Sequence, residues 1–142
     1  MGGPEARDDE AARPGDGPAV LVVDDDPVVR AFVEEALTEA GFAVMIAGSG
    51  REALRLVADG RVSPTILVTD IEMPAMTGVE LAARLLALRP AVRVVMMTGD
   101  PERAATARGH PSIVDHVLDK PMTLEALLSA VRAVAGLVPS AR

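Results

Sequence analysis

The sequence predicts an α/β fold, a doubly wound sheet of five parallel strands with helices on both faces. Three observations lead there. Five short apolar or β-branched runs alternate with five stretches of helical periodicity, the signature of repeated strand–helix units. Cap residues mark the helix starts, at Asp26-Pro27, Ser49, Thr77, Asp100-Pro101 and Thr123. The connections between elements are of ordinary length. Right-handed crossovers then bring every strand's carboxyl end to one edge of the sheet.

The first strand is expected over residues 19–23, a continuously apolar run suited to burial on both faces. It ends in Asp24-Asp25-Asp26-Pro27. Asp26 and Pro27 form a cap and first-turn pair, opening a helix whose apolar face holds Val29, Phe32, Val33, Ala36, Leu37 and Ala40. Gly41 stops it. The second strand covers residues 43–47, and a Ser49-to-Glu52 capping box starts the next helix, which carries Ala53, Leu54, Leu56 and Val57 and ends at Gly60. The third strand, residues 65–69, delivers Asp70 at its tip. A second capping box, Thr77 to Glu80, opens a helix with Leu81, Leu85 and Leu88 that ends before Pro90. The fourth strand spans residues 92–97 and the fifth residues 113–118. Between them an Ala- and Arg-rich helix, poor in apolar residues, starts at Asp100-Pro101 and ends by Gly109. After Asp119-Lys120-Pro121, a final helix uses Leu124, Leu127, Leu128, Val131 and Val134.

With 142 residues the chain is one domain's worth, and its 49% hydrophobic, 1% aromatic composition requires a core of aliphatic side chains and Met. Phe32 and Phe42 are expected in that core, and the seven methionines as its filler, with Met73 and Met76 in the loop after Asp70. A net charge of −7 opposes direct nucleic-acid binding. Without cysteine there is neither a disulfide framework nor a thiolate metal site. No apolar run approaches a membrane span, and no signal peptide is evident. A cytoplasmic protein without membrane attachment is expected. Residues 1–18 lack apolar periodicity and read as a disordered tail, residues 19–137 as the folded domain and 138–142 as a short C-terminal tail.

The strand ends gather Asp24 and Asp25, Asp70, Thr98 and Lys120. Asp24 and Asp25 repel each other unless a cation compensates. Three carboxylates suit a hard cation such as Mg²⁺, and an ammonium and a hydroxyl suit phosphoryl oxygens. That set is the equipment for taking up a phosphoryl group by positioning and charge neutralisation.

In order along the chain, Asp24-Asp25, Asp70 with Met73-Pro74 and Gly78, Thr98, and Lys120-Pro121 resemble the signature of response-regulator receiver domains, over about residues 19–136. The resemblance implies the flavodoxin-like (βα)5 form of the fold, with strand order 2-1-3-4-5. It implies that Asp70 is the phosphoacceptor, that Asp25 and Asp70 ligate Mg²⁺ with the backbone carbonyl of Glu72, and that Asp24 assists. Thr98 and Lys120 would bind the phosphoryl group. The donor would be a sensor histidine kinase or a histidine phosphotransfer protein. The output would pass through protein contacts to a downstream target the sequence does not name, from a monomer or weak dimer. Such a domain, stand-alone or excised from a larger protein, is not an enzyme on a separate substrate; it promotes only its own phosphorylation and dephosphorylation.

Two departures stand out. Receiver domains commonly carry an aromatic residue three positions before the lysine, and here that switch position is Val117. Glu72 and Asp100 occupy positions that tune dephosphorylation in the family, so both acids are expected to affect phosphoryl lifetime.

Two rival readings use the same residues. Asp24-x-Asp26 fits the nucleophile motif of haloacid-dehalogenase-type phosphatases, with Asp24 as nucleophile, although only Glu125 remains beyond Lys120 to supply the acidic pair that reading needs. Gly48-x-Gly50-x-x-Ala53 fits a dinucleotide fingerprint, but leaves Asp24, Asp25, Thr98 and Lys120 without roles. His110 and His116 have no paired ligands in the sequence and read as loop and strand residues.

Overall fold

A computed structural model describes residues 17–138; residues 1–16 and 139–142, the greater part of the two expected tails, lie outside the described residues. Gly17 and Pro18, grouped with the tail by composition, are tied to the second strand. The Gly17 N–H donates to the Gly41 carbonyl at 2.8 Å, and the Pro18 carbonyl accepts from the Ala43 N–H at 3.1 Å.

The five strands are β1 (Ala19–Val23), β2 (Ala43–Ala47), β3 (Ile66–Asp70), β4 (Arg93–Thr98) and β5 (His116–Asp119). The helices are α1 (Pro27–Glu39), α2 (Gly50–Ala58), α3 (Gly78–Leu88), α4 (Pro101–Arg108) and α5 (Leu124–Ala135). All strand pairs are parallel, in the order β2-β1-β3-β4-β5. The expected doubly wound topology is therefore the one observed.

Strand alternation divides the core in two. Leu21, Val23, Leu67, Val94 and Met96 face α2, α3 and α4, where they meet Val57, Leu81, Leu85 and Ala104. Val20, Val22, Ile66, Val68, Val95 and Met97 face α1 and α5, where they meet Val33, Leu37, Leu127 and Val131. A fully buried aliphatic side chain of this kind contributes roughly 1.5–3 kcal/mol. The three central strands thus hold the carboxyl edge rigidly, and the site is built there.

Several local expectations shift. The third and fourth strands start and end one residue later than their apolar runs. The fifth starts only at His116, because Ile113 and Val114 belong to a turn in which both N–H groups donate to the His110 carbonyl at 2.9 Å. Val114 is buried nonetheless, so the apolar run reports burial rather than strand. The Ser49 box is half formed: Ser49 caps the Glu52 N–H, but the Glu52 carboxylate reaches Gly48 N–H instead of Ser49. Thr77 and Glu80 form the full reciprocal box.

Phe32 is not a core residue. It is 40% exposed, on the flank of α1 that faces the β5–α5 connection, while Val33, Ala36 and Leu37 occupy the sheet surface. Met45 on the edge strand β2 is 46% exposed, so not every methionine is core filler; Leu88 and Leu124, at helix ends, are also exposed.

Candidate functional site

Asp24 follows β1 directly, and its environment leaves it no freedom. It is fully buried, one carboxylate oxygen accepts the Asp26 N–H at 2.9 Å, and its own carbonyl accepts from Arg30 Nη1 at 2.8 Å. Its other oxygen lies 3.3 Å from Lys120 Nζ. Asp25, beside it, is exposed. Asp70 closes β3 and is buried, with Oδ1 3.3 Å from the same Lys120 Nζ. Lys120 therefore bridges two buried acids. Its N–H donates to the Thr98 carbonyl at 2.7 Å, tying the end of β5 to the end of β4. The Lys120–Pro121 peptide bond is cis.

Behind Asp70 the backbone is crowded. A Cβ on Gly78 would lie 2.2 Å from the Asp70 carbonyl oxygen, closer than atoms can approach. Only glycine lets α3 begin against the residue that presents the acid.

Thr98 is fully buried. Its hydroxyl donates to the Glu72 carboxylate and accepts from the Asp100 N–H at 3.0 Å. Arg103 Nε lies 3.9 Å from Glu72 and 3.5 Å from Asp100. Glu72 and Asp100 are thus joined through Thr98 and Arg103. Sequence reasoning missed Arg103, although its spacing from Asp100 is that of neighbours on one helix face. It also missed Arg30, one helical turn past the Asp26 cap.

Asp24, Asp25 and Asp70 each offer a carboxylate oxygen within 4.8 Å of the others. Asp70 Oδ1 is buried, and among the described residues no hydrogen-bond donor is aligned on it; Lys120 approaches it only as an ion-pair partner. An under-satisfied buried oxygen in a cluster of hard oxygen donors fits a divalent cation such as Mg²⁺.

Burial raises the Asp70 carboxyl from 3.8 to about 6; Asp24 and, more weakly, Glu72 add to the rise, and Lys120 opposes it. Burial works against the Lys120 charge, yet Asp70 and Asp24 together hold its pKa above the ordinary lysine value. A carboxyl whose pKa is raised on folding holds its proton more tightly in the native state. The stability this contributes is fully present below the unfolded value and is lost as pH rises through about 6. Metal-free protein is therefore expected to lose up to roughly 3 kcal/mol between about pH 4 and pH 6.5 on account of this one group. Urea titrations followed by far-ultraviolet circular dichroism should show the fall in wild type and a flatter profile in Asp70→Asn. Equal slopes in both proteins would show that Asp70 does not carry the effect.

The two rival arrangements find no support in this geometry. Both oxygens of Asp24 are engaged, so it is not presented as a phosphatase nucleophile. At the Gly48–Ala53 turn, the Gly48 N–H is taken by Glu52 and Met76 packs against Gly50, with Sδ 2.8 Å from where a Cβ would stand. No backbone cradle for a pyrophosphate is left there.

Val117 lies apart from the cluster. It is buried in β5, opposite Met96 of β4 and within the core that α4 covers. Its carbonyl accepts from Arg108 Nη2 at 3.4 Å.

An apolar cleft of about 550 Å³ is lined by Val28, Val29, Phe32, Pro121 and Met122 together with Lys120 of the site. Val28 is 76% exposed. Among the described residues no helix is long and apolar enough to cross a membrane.

Residues 20–132 match the family described as the response regulator receiver domain. The response regulator MprA of Mycolicibacterium vanbaalenii is 35% identical over 115 residues, which are 81% of this chain and 49% of MprA. A protein-glutamate methylesterase/protein-glutamine glutaminase of Caulobacter vibrioides is 47% identical over 87 residues, 61% of this chain and 24% of that protein. The chain thus spans half or less of the length of these curated relatives. Among solved structures, the response regulator TrrA of Thermotoga maritima, in complex with Mg²⁺–BeF, superposes with a TM-score of 0.73 at 25% identity, covering 82% of this chain and 98% of that one. The chemotaxis response regulator CheY4 of Vibrio cholerae does so with a TM-score of 0.73 at 28% identity, covering 83% and 98%.

Proposed function

The chain belongs to the response regulator receiver family, phosphoacceptor domains of two-component signalling, and from that premise we propose that Asp70 is its phosphoacceptor. The observation that carries the assignment is the meeting of Asp24, Asp25, Asp70 and Lys120 at one sheet edge, with Asp70 the buried acid whose oxygen lacks an aligned donor. In this reading Asp25, Asp70 and the Glu72 backbone carbonyl hold Mg²⁺, with Asp24 assisting; when bound, the ion offsets the charge that accumulates on the phosphoryl oxygens. The Mg²⁺–BeF complex of TrrA supports the choice of ion. The receiver unit covers residues 19–137.

The Asp70 carboxylate attacks phosphorus, forming a P–O bond as the donor's P–N bond breaks and the imidazole leaves. Lys120 already lies within ion-pair distance of the attacking oxygen and would follow the charge onto the phosphoryl group. Thr98 would turn its hydroxyl from Glu72 to a phosphoryl oxygen. The test is intact-mass measurement after incubation with acetyl phosphate, with and without Mg²⁺. A gain of one phosphoryl group that requires Mg²⁺ is expected; no gain with several small donors would sink the assignment.

The donor is a phosphohistidine on a sensor kinase or phosphotransfer protein. Its histidine is a side chain of a folded protein, so the donor's surface must pack around the site within side-chain reach. The apolar cleft of Val28, Phe32 and Met122 shares Lys120 with the site, which supports it as the docking surface.

Glu72 competes with the phosphoryl group for the Thr98 hydroxyl, which gives its tuning role a sign. Glu72→Asn should free Thr98 to hold the phosphoryl group and lengthen its lifetime. One hydrogen bond of about 1 kcal/mol corresponds to roughly fivefold. Asp100→Ala, which removes a partner of Arg103 and the α4 cap, should have a smaller effect on lifetime. Decay of the phosphorylated mass after donor removal measures both, and an unchanged or shorter lifetime in Glu72→Asn would refute the competition.

A further inference from the structure

With Val117 in place of an aromatic, the phosphorylated site needs some other group to report its state to α4 and β5. A cleft of about 350 Å³ leads from the site to that surface. Thr98 and Lys120 line it together with Pro101, Ala104, Arg108 and Asp119. The helix beside it, α4, buries only two small side chains, Ala104 and Ala107.

Arg108 is the last residue of α4. Its Nη2 donates to the Val117 carbonyl and to Asp119 Oδ2, each at 3.4 Å. Both bonds are long, and the two side chains of the ion pair are 52% and 66% exposed, so solvent competes for them and they hold the guanidinium weakly. The other cation on the cleft, Lys120, already belongs to the site. Arg103, held as loosely by Glu72 and Asp100 at 3.9 and 3.5 Å, does not line this cleft.

We infer that Arg108 is the moving element of this domain: released from Val117 and Asp119, its guanidinium turns into the cleft toward a phosphorylated Asp70. This rests on Asp70 being the phosphoacceptor. A phosphoryl group carries about 1.5 to 2 negative charges at neutral pH, and a guanidinium meets phosphoryl oxygens through paired donors. Thr98 lines the same cleft, so turning its hydroxyl from Glu72 to the phosphoryl group reshapes the cleft as the charge arrives. The consequence at the surface is local. The Val117 carbonyl and the Asp119 carboxylate lose their cation, and β5 and the end of α4 change what they present to a partner.

The test uses the whole chain loaded with Mg²⁺ and beryllofluoride, and in parallel phosphorylated by acetyl phosphate, with occupancy read by intact mass. The side-chain Nε–H signal of Arg108, assigned by its loss in Arg108→Lys, is expected to shift on loading. Hydrogen exchange over residues 116–119 is expected to change with it. Compared at equal occupancy, Arg108→Ala should lose the exchange response and Arg108→Lys should keep part of it, since lysine retains the charge without the paired donors. Asp119→Asn, which weakens the resting tether, should move the unloaded protein part of the way. Full occupancy with a motionless Arg108 signal, or a wild-type exchange response in Arg108→Ala, overturns this inference while leaving the phosphoacceptor assignment standing. No phosphoryl gain in wild type overturns that assignment and this inference together.

Discussion

Asp70→Asn is expected to abolish Mg²⁺-dependent phosphorylation completely, with no gain of phosphoryl mass after prolonged exposure to acetyl phosphate. The amide is close in shape to the carboxylate, so the strand, the Gly78 contact and the surrounding core should persist. What disappears is the nucleophilic oxygen, and none of the neighbouring acids is placed to substitute for it. Asp24 is fully buried, with one oxygen on the Asp26 N–H and the other on Lys120. Asp25 is exposed and outside the Lys120 ion pairs. Asp24→Asn should weaken Mg²⁺ binding, so that more Mg²⁺ is needed, and leave Asp70 able to react. If Asp24→Asn instead eliminated all phosphoryl chemistry while Asp70→Asn retained it, the nucleophile would have been assigned to the wrong strand. Asp70→Asn should also gain stability above about pH 6, where the wild-type Asp70 carboxyl is ionised in its buried position.

The second large effect is expected at the apolar cleft and separates docking from chemistry. Phe32→Asp, on a side chain 40% exposed, should reduce phosphoryl transfer from a phosphohistidine protein by about 30-fold or more, the cost of losing one central aromatic anchor worth about 2 kcal/mol. Labelling by acetyl phosphate, which needs no protein surface, should stay near the wild-type rate. Val28→Asp should behave alike, since Val28 is the more exposed of the two. Circular dichroism would check the fold, and neither change touches the sheet-facing stripe of Val33, Ala36 and Leu37. Parallel losses with both donors would point to damage at the site. Unaltered transfer from the protein donor would place docking elsewhere.

These two results would also divide what was readable in the residues from what was not. Asp24, Asp25, Asp70, Thr98 and Lys120 could be grouped before any coordinates, because in a parallel α/β sheet every strand delivers its carboxyl end to the same edge. Most cap residues were legible for a similar reason: Asp26, Thr77, Asp100 and Thr123 act on N–H groups two or three residues away, and such reach is written in local spacing. Phe32 misled because helical periodicity marks a face of α1 without saying which edge of that face the sheet covers. Residues 113–114 misled because apolar character signals burial, and a turn can be buried as well as a strand.

The sequence by itself determined the order of elements, the parallel topology and the set of groups at the carboxyl edge, since each follows from short-range pattern and the handedness of crossovers. Only the tertiary structure decided how those groups are engaged. It gives Asp24 two partners and Asp70 Oδ1 no aligned donor, turns the Thr98 hydroxyl to Glu72, puts Phe32 and Lys120 on one cleft, and puts Arg108 on another with Thr98 and Lys120. The physical reason is separation along the chain. Lys120 meets Asp24 across 96 positions and Thr98 meets Glu72 across 26, and no local periodicity encodes which of several nearby partners a side chain will choose.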